Sequence, residues 1–278
     1  MRGVVAAICL CAITLSVAGC GERPEPTGTS VRLYPVTLQG AAGRPTVLER
    51  EPRRILALGR DMAATLRALG VKNGLVEATR GVARARGFDL VVGWSSAHEA
   101  RGLPDRKSAV PTYIAADDTV RAVERSLADL GVIVGRPLNG RASAARLQRR
   151  HRRVTARVGG REVVSVFLDT GFFTTVSDRS LQADMIAEAG GRSIAGSSPG
   201  EEPFDLRRLA RIDPRYYLAS SDSGTTLEAL RRNRRTRRLT AIRAGRFRII
   251  PTELLEPGPR IGAGIAAIAR ALHPDAFR

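Results

Sequence analysis

Short apolar runs alternate with amphipathic stretches along most of this chain, and a long arginine-rich segment without Gly or Pro, Arg141 to Arg157, interrupts them midway. That alternation constrains the fold more than any other feature. Before the interruption, Ile55-Leu56-Ala57-Leu58, Leu75-Val76, Leu90-Val91-Val92 and Thr112-Tyr113-Ile114 read as short buried strands. Ala63 to Leu69 reads as a helix closed by Gly70. Asp118-Thr119 opens a second helix with Val120, Val123, Leu127 and Leu130 on one face. Val31 to Leu38 and Arg44 to Glu49, around Gly40-Ala41-Ala42-Gly43, carry a hairpin signal.

After the interruption the pattern restarts. Val163 to Leu168, Tyr216 to Ala219 and Phe247 to Ile250 read as strands; Leu181 to Ala189, Leu206 to Ile212, Thr226 to Arg232 and Ile261 to Leu272 read as helices. The segment between has only a thin apolar stripe of Ala142, Ala145 and Val154, which suits a helix lying across a domain boundary. The predicted fold class is therefore α/β, with two Rossmann-like lobes of mainly parallel strands (31–135 and 159–278) joined by one long helix over 136–158. Ligands in such lobes sit at the carboxyl ends of the strands, so a cleft between the lobes is where function should lie.

The N-terminus bears on location. Arg2 precedes an uncharged apolar run from Val4 to Val17, long enough for a secretory signal and short for a bilayer span of about 20 residues. The run ends in Leu15-Ser16-Val17-Ala18-Gly19-Cys20, which looks like a lipobox. Residues 1–19 then form a lipoprotein signal peptide, Cys20 becomes the lipidated first residue, and the Pro/Gly-rich 20–30 stretch is a tether. Cys9 and Cys11 would leave with the signal, so neither a disulfide framework nor a cysteine zinc site can be built. The expected location is the outer face of the cytoplasmic membrane.

The formal net charge is +18, and of 45 basic residues only Lys72 and Lys107 are lysine. Arg149 to Arg153 and the Arg231 to Arg238 cluster resemble nucleic-acid patches. Export excludes cytosolic nucleic acid, which leaves solvated helix faces or an anionic ligand, envelope or membrane surface.

Several stretches, in order, resemble the periplasmic binding proteins that serve ferric siderophores, haem and cobalamin. They are Glu51-Pro-Arg-Arg-Ile-Leu-Ala-Leu58, Thr65-Leu-Arg-Ala-Leu-Gly70, Phe88-Asp-Leu-Val-Val-Gly93 and Gly190-Gly191. Asp205 through Pro214, Ala241 through Pro251, Pro257-Gly-Pro-Arg260 and Ala271-Leu-His-Pro274 complete the series. The segment from Thr79 to Gly87 is shorter than the family's usual one, so the first lobe is trimmed there. The resemblance implies a binding protein that performs no chemistry. Working as a monomer without a cofactor, it would deliver an iron complex, foremost an anionic ferric siderophore, to an ABC permease and through it to an ATPase. Haem or cobalamin is the alternative ligand, and an envelope protein that keeps the fold without transport is the alternative role.

Strand-end positions then supply candidate ligand contacts. Arg60 and Asp61 follow the first strand, Arg80 follows the second, and Arg260 precedes the last helix. A permanent charge on a planar fork suits catecholate or carboxylate oxygens. Trp94, just after Leu90 to Gly93, and Phe172 with Phe173 in the corresponding loop of the second lobe are expected to line the cleft and stack on a flat ligand. Tyr113 could offer a phenolate, whereas Tyr216 and Tyr217 read as core. The resemblance further implies one exposed acid on each lobe for permease docking, and Glu99 and Glu228 fit that layout. His98, His151 and His273 are too dispersed for a bare metal site. Asp169-Thr170-Gly171 and Asp222-Ser223-Gly224 imitate aspartic-protease loops, but helices restart after both, and no enzymatic activity is expected.

Overall fold

A computed structural model describes residues 33–78, 87–96, 110–196 and 203–278. Val36–Gln39 (β1) and Pro45–Leu48 (β2) pair antiparallel as the expected hairpin. Ile55–Leu58 (β3), Leu75–Ala78 (β4), Leu90–Trp94 (β5) and Thr112–Ala115 (β6) form a parallel sheet in the order β4-β3-β5-β6. All four side chains of β3 and all five of β5 are buried, as a parallel sheet covered on both faces requires.

Arg60–Ala68 (α1) follows β3, and Val120–Ile133 (α2) follows β6, its first turn capped by the Thr119 hydroxyl accepting from the Ala122 N–H. Pro137–Val158 (α3) comes next and is the longest helix among the described residues at 22 residues. Its buried positions, Gly140, Ser143, Leu147, His151, Val154 and Val158, recur every three or four residues, so one stripe faces inward while the arginines face solvent.

The second lobe repeats the plan. Val164–Asp169 (β7), Gly191–Ser193 (β8), Tyr216–Ser220 (β9) and Phe247–Ile250 (β10) form a second parallel sheet ordered β10-β9-β7-β8. Leu181–Glu188 (α4), Leu206–Ile212 (α5), Leu227–Arg232 (α6), Thr240–Arg243 (α7) and Ile261–Leu272 (α8) complete it. The fold class expected from the alternation holds: two separate parallel sheets are joined by a long helix.

Packing explains why the lobes keep a fixed separation. Helix α3 lies against α2 on one side and α8 on the other, and α2 also touches α4. A Cβ at Gly131 would come 2.6 Å from the Gly140 Cα, so only two glycines let α2 and α3 cross this closely. One apolar cluster runs without a break from Leu90 and Val92 through Leu127, Leu147 and Val154 to Leu168 and Ile268. Bending at α3 would open that cluster to water, so domain motion should be small. The outer face of each sheet carries its own cluster, Leu56, Leu58, Val91 and Ile114 in the first lobe and Phe167, Phe204, Tyr217 and Phe247 among others in the second.

Candidate ligand cleft

The carboxyl ends of the strands are cross-tied in each lobe. β5 ends at Trp94, and the following Ser95 and Ser96 hydroxyls both donate to the Asp117 carboxylate just beyond β6. The Ser96 N–H adds a third bond at 3.1 Å. In the second lobe Asp169, the last residue of β7, is fully buried. Its carboxylate accepts from the Gly171 N–H at 2.9 Å, the Tyr217 hydroxyl at 2.7 Å and the Thr225 hydroxyl at 2.8 Å. The turn after β9 is joined to the end of β10 because the Thr252 N–H donates to the Ser221 Oγ and the Asp222 N–H donates to the Thr252 Oγ1, at 3.0 and 3.1 Å. Strand ends held this way are rigid walls, which spares a ligand the entropic cost of ordering loops.

Two cavities open between the lobes. The smaller, about 260 Å³, lies between Asp61 and Thr65 of α1 and the segment Glu256, Pro257, Pro259 and Arg260 ahead of α8. The larger, about 570 Å³, lies between Ser96 and Asp117 of the first lobe and Thr175, Ser177 and Arg179 of the second, with Pro257 again in its wall. That volume is within the range of ligand sites, roughly 300–1,000 Å³. Two glycines set this geometry. At Gly258, φ is 143° and a Cβ would stand 2.7 Å from the Thr65 Oγ1 of the opposite lobe. At Gly264, a Cβ would stand 2.0 Å from the Leu254 carbonyl oxygen, so its absence lets the cleft lip rest directly on α8.

Asp61 and Arg260 line the smaller cavity from opposite lobes, and Arg60 lies next to Asp61 at the start of α1. Glu256 connects them. Burial, then the Asp61 charge, pushes its carboxyl above the ordinary value, while Arg260 and Arg60 pull it down and Asp222 pushes it up. Two arginines from opposite lobes thus act on one half-buried acid at the narrow end of the cleft.

Glu256, Asp117 and the 175–179 wall were missed by sequence reasoning. Glu256 stands six residues past β10, beyond the short helical turn Thr252–Leu254, so strand-end position does not single it out.

Trp94 is corrected. It is not past the strand but its last residue, paired with Ala115, and it is fully buried. Extension of β5 by one residue turns the indole into the core beneath the cleft, where it cannot stack on a ligand. Phe172 stands 87% exposed on the loop after β7, while Phe173 packs partly into the second-lobe cluster. Both have positive φ, 51° and 62°, a costly conformation for a bulky residue that the surrounding turn must hold. Tyr113 is buried and bonded to Asp129 at 3.3 Å, so its hydroxyl is not a cleft group. Glu228 is exposed in the first turn of α6 and pairs with Arg232 at 3.1 Å. Arg80, Glu99, His98 and Cys20 lie outside the described residues. Among the described residues no group of three or more His, Cys, Asp or Glu side chains could hold a metal ion. Asp222 is exposed and bonds within its own turn, so it does not share a proton with buried Asp169.

Behind the cleft, His151 on α3 sits buried between Glu124 of α2 and Glu188 of α4, with Nδ1 3.1 Å and Nε2 2.7 Å from their carboxylates. Asp184, also on α4, accepts the Val120 N–H at the start of α2 at 2.8 Å. Burial lowers the His151 pKa, but the Glu188 and Glu124 bonds and charges outweigh it and the net shift is upward. A raised histidine contributes stability that is complete below its unfolded value of about 6.5 and lost as pH climbs through the folded one. Burial of Asp184 also raises its pKa, with the Val120 N–H opposing and the Glu188 and Asp118 charges adding to the rise. Asp184 therefore contributes stability that is lost as pH rises from its unfolded value of about 3.9, which leaves His151 to set the slope at higher pH. The melting temperature is expected to fall from about pH 6.5 toward pH 9, and His151→Gln to flatten that slope. An unchanged slope in the variant would remove His151 from the account.

A groove between two parallel-sheet lobes, walled by strand ends and stiffened by a connecting helix, defines a two-lobed solute-binding protein. The profile of the family described as periplasmic binding protein matches residues 89–254, and the chain belongs to that family. Family members are exported solute-binding proteins and partners of ABC transporters. Among solved structures, the chain is similar to Helicobacter pylori CeuE in its nickel–histidine complex, with a TM-score of 0.73 and 15% identity over 87% of this chain and 89% of that one. It is also similar to the periplasmic haem-binding protein RhuT from Roseiflexus sp. RS-1, with a TM-score of 0.67 and 20% identity over 81% and 99% of the two chains. A third is an Fe3+-hydroxamate transport protein from Saccharomonospora viridis, with a TM-score of 0.65 and 16% identity over 86% and 99%. At these identities the likeness establishes the fold. No curated protein sequence matches. Among the described residues no helix is long and apolar enough to cross a membrane.

Proposed function

We propose that this protein is the lipid-anchored substrate-binding component of an ABC importer and captures an anionic iron chelate, foremost a ferric siderophore. The supporting observation is that the charges of Arg60 and Arg260, one from each lobe, both act on Glu256, which lines the smaller inter-lobe cavity together with Asp61 and Arg260. An anionic chelate bound there gains charge-assisted bonds to both lobes at once. The acids Asp61, Asp222 and Glu256 moderate the positive potential before the ligand arrives.

Cys20 carries the anchor, and the 20–30 stretch gives the folded unit reach above the bilayer. Glu228 and Glu99 present one acid from each lobe to the permease, and Arg80 adds a third cation to the cleft. The protein works as a monomer. Haem is the second reading, favoured by the exposed ring of Phe172, which offers a flat apolar surface. Buried Trp94 removes the second such surface that a macrocycle would use.

The test is calorimetric titration with ferric catecholate and hydroxamate siderophores. The double variant Arg60→Gln/Arg260→Gln is expected to bind about tenfold more weakly or worse, the loss of one charge-assisted hydrogen bond at about 1.5 kcal/mol being enough. Both side chains are exposed, so the unliganded melting temperature should not move. Equal affinity in wild type and variant would reject the arginine assignment.

A further inference from the structure

A cavity larger than either of those between the lobes lies away from the cleft. It measures about 840 Å³ and lies where the first sheet begins, between Arg50 to Arg53, the Gly70 to Asn73 turn after α1 and the α2–α3 junction at Arg136. Arg50, Arg53, Lys72 and Arg136 are all exposed on its rim. Only Arg136 has an ion-pair partner within 4 Å among the described residues, Glu51 at 2.9 Å. Asp89, the acid next to this cluster, accepts the Arg53 and Arg54 backbone N–H groups, each at 2.9 Å, and its charge also interacts with Arg50 and Arg53, which leaves Lys72 and Arg136 outside its reach.

Three further observations fall on the same face. Helix α3 starts here with no side-chain cap and no acid in its first turn, so its positive end adds to the field. Leu138, two residues past Arg136 in the first turn of α3, is 76% exposed. The folded unit also begins at this face: it starts at Leu33, and the Tyr34 hydroxyl donates to the Ile133 carbonyl at 3.0 Å, beside that junction. A cationic cavity rim with an exposed leucine in the adjoining helix turn is the chemistry of a surface that rests on anionic headgroups.

We infer that the face formed by Arg50, Arg53, Lys72, Arg136 and Leu138 docks on an anionic lipid bilayer. Its placement rests on the lipid-anchor reading, since the stretch from Cys20 to Leu33 spans at most roughly 45 Å when extended and so keeps this face near the membrane. Arg53 lies at the amino end of β3 and Arg60 just past its carboxyl end, so the docked face and the cleft are at opposite ends of the first sheet. Docking therefore leaves the cleft open to arriving ligand. Release from the lipid must precede delivery to a permease.

The experiment uses the chain from Gly21 onward, which has no lipid, so its outcome is independent of whether Cys20 is acylated; fractionation of Cys20→Ser cells tests the anchor separately. Co-sedimentation is measured with vesicles of phosphatidylglycerol and phosphatidylcholine in equal parts and with phosphatidylcholine alone. The protein is expected to bind the first and not the second. Arg50→Gln/Arg53→Gln/Lys72→Gln should lower the partition coefficient about a hundredfold, at roughly 1 kcal/mol per cation, and Arg231→Gln/Arg234→Gln/Arg235→Gln, with the same change in net charge, by less than about threefold. Equal losses in the two triples, or no binding by the wild type, would overturn the inference. Melting temperatures of both triples confirm that the fold is intact.

Discussion

Asp169→Ala is expected to lower the unfolding free energy by about 3 kcal/mol and to weaken ligand binding as well. Three donors lose their acceptor together. One is the hydroxyl of Tyr217, itself fully buried. The others are the Gly171 N–H and the Thr225 hydroxyl, in the loops after β7 and β9. A buried donor left without a partner costs more than the bond contributed, because its lost hydration is not replaced. Burial and then the Asp169 charge hold the Tyr217 phenol far above its ordinary pKa, so the hydroxyl stays a donor and cannot relieve the problem by ionising. Asp169→Asn keeps an acceptor oxygen and should lose less. Urea denaturation measures both, and a loss below about 1 kcal/mol for the alanine variant would show that the network does not hold these walls. The same carboxylate that imitates a protease loop in sequence is thus a structural tie between two cleft walls.

Trp94→Ala should be at least as damaging, at about 3–5 kcal/mol, because it empties the space of the largest fully buried side chain in the described core. Trp94→Phe is expected to lose no more than about 1.5 kcal/mol. The indole Nε1 has no hydrogen-bond partner among the described residues, so its removal breaks nothing polar. The pair of variants separates packing from recognition. Were Trp94 a stacking platform, the alanine variant would retain stability and lose ligand, and the indole fluorescence of the wild-type protein would be quenched by ring stacking on binding. Neither is expected of a buried side chain.

The fold was legible because its signal is local and repeated. Runs such as Ile55 to Leu58 and the 3.6-residue stripe of α2 specify strand and helix without distant partners, and bounds such as Val164–Asp169 differ from the expected Val163 to Leu168 by one residue. The Trp94 error has the same size but a larger consequence. A strand one residue longer than expected moves a side chain from loop to core, because successive positions point to opposite faces of the sheet.

The site was only half legible. Arg60, Asp61 and Arg260 follow from the rule that loops past strand ends and before helices face the cleft. Glu256 belongs to the same site through a contact across the lobes, and its environment depends on Asp61, nearly two hundred positions away, which no local pattern encodes. His151 read only as a linker residue for the same reason: Glu124 and Glu188 come from flanking helices on either side. The exposed arginines were legible as solvated faces, but not that a subset gathers beside the start of the folded unit.

The cargo is decided by calorimetric titration of the purified wild-type protein with ferric siderophores, haem and cobalamin, side by side with Arg60→Gln/Arg260→Gln. A saturable heat is expected for at least one anionic ferric chelate, absent or about tenfold weaker in the double variant, with cobalamin inert. Binding of neutral cobalamin alone, or affinity for an iron chelate that survives loss of both arginines, would contradict that expectation.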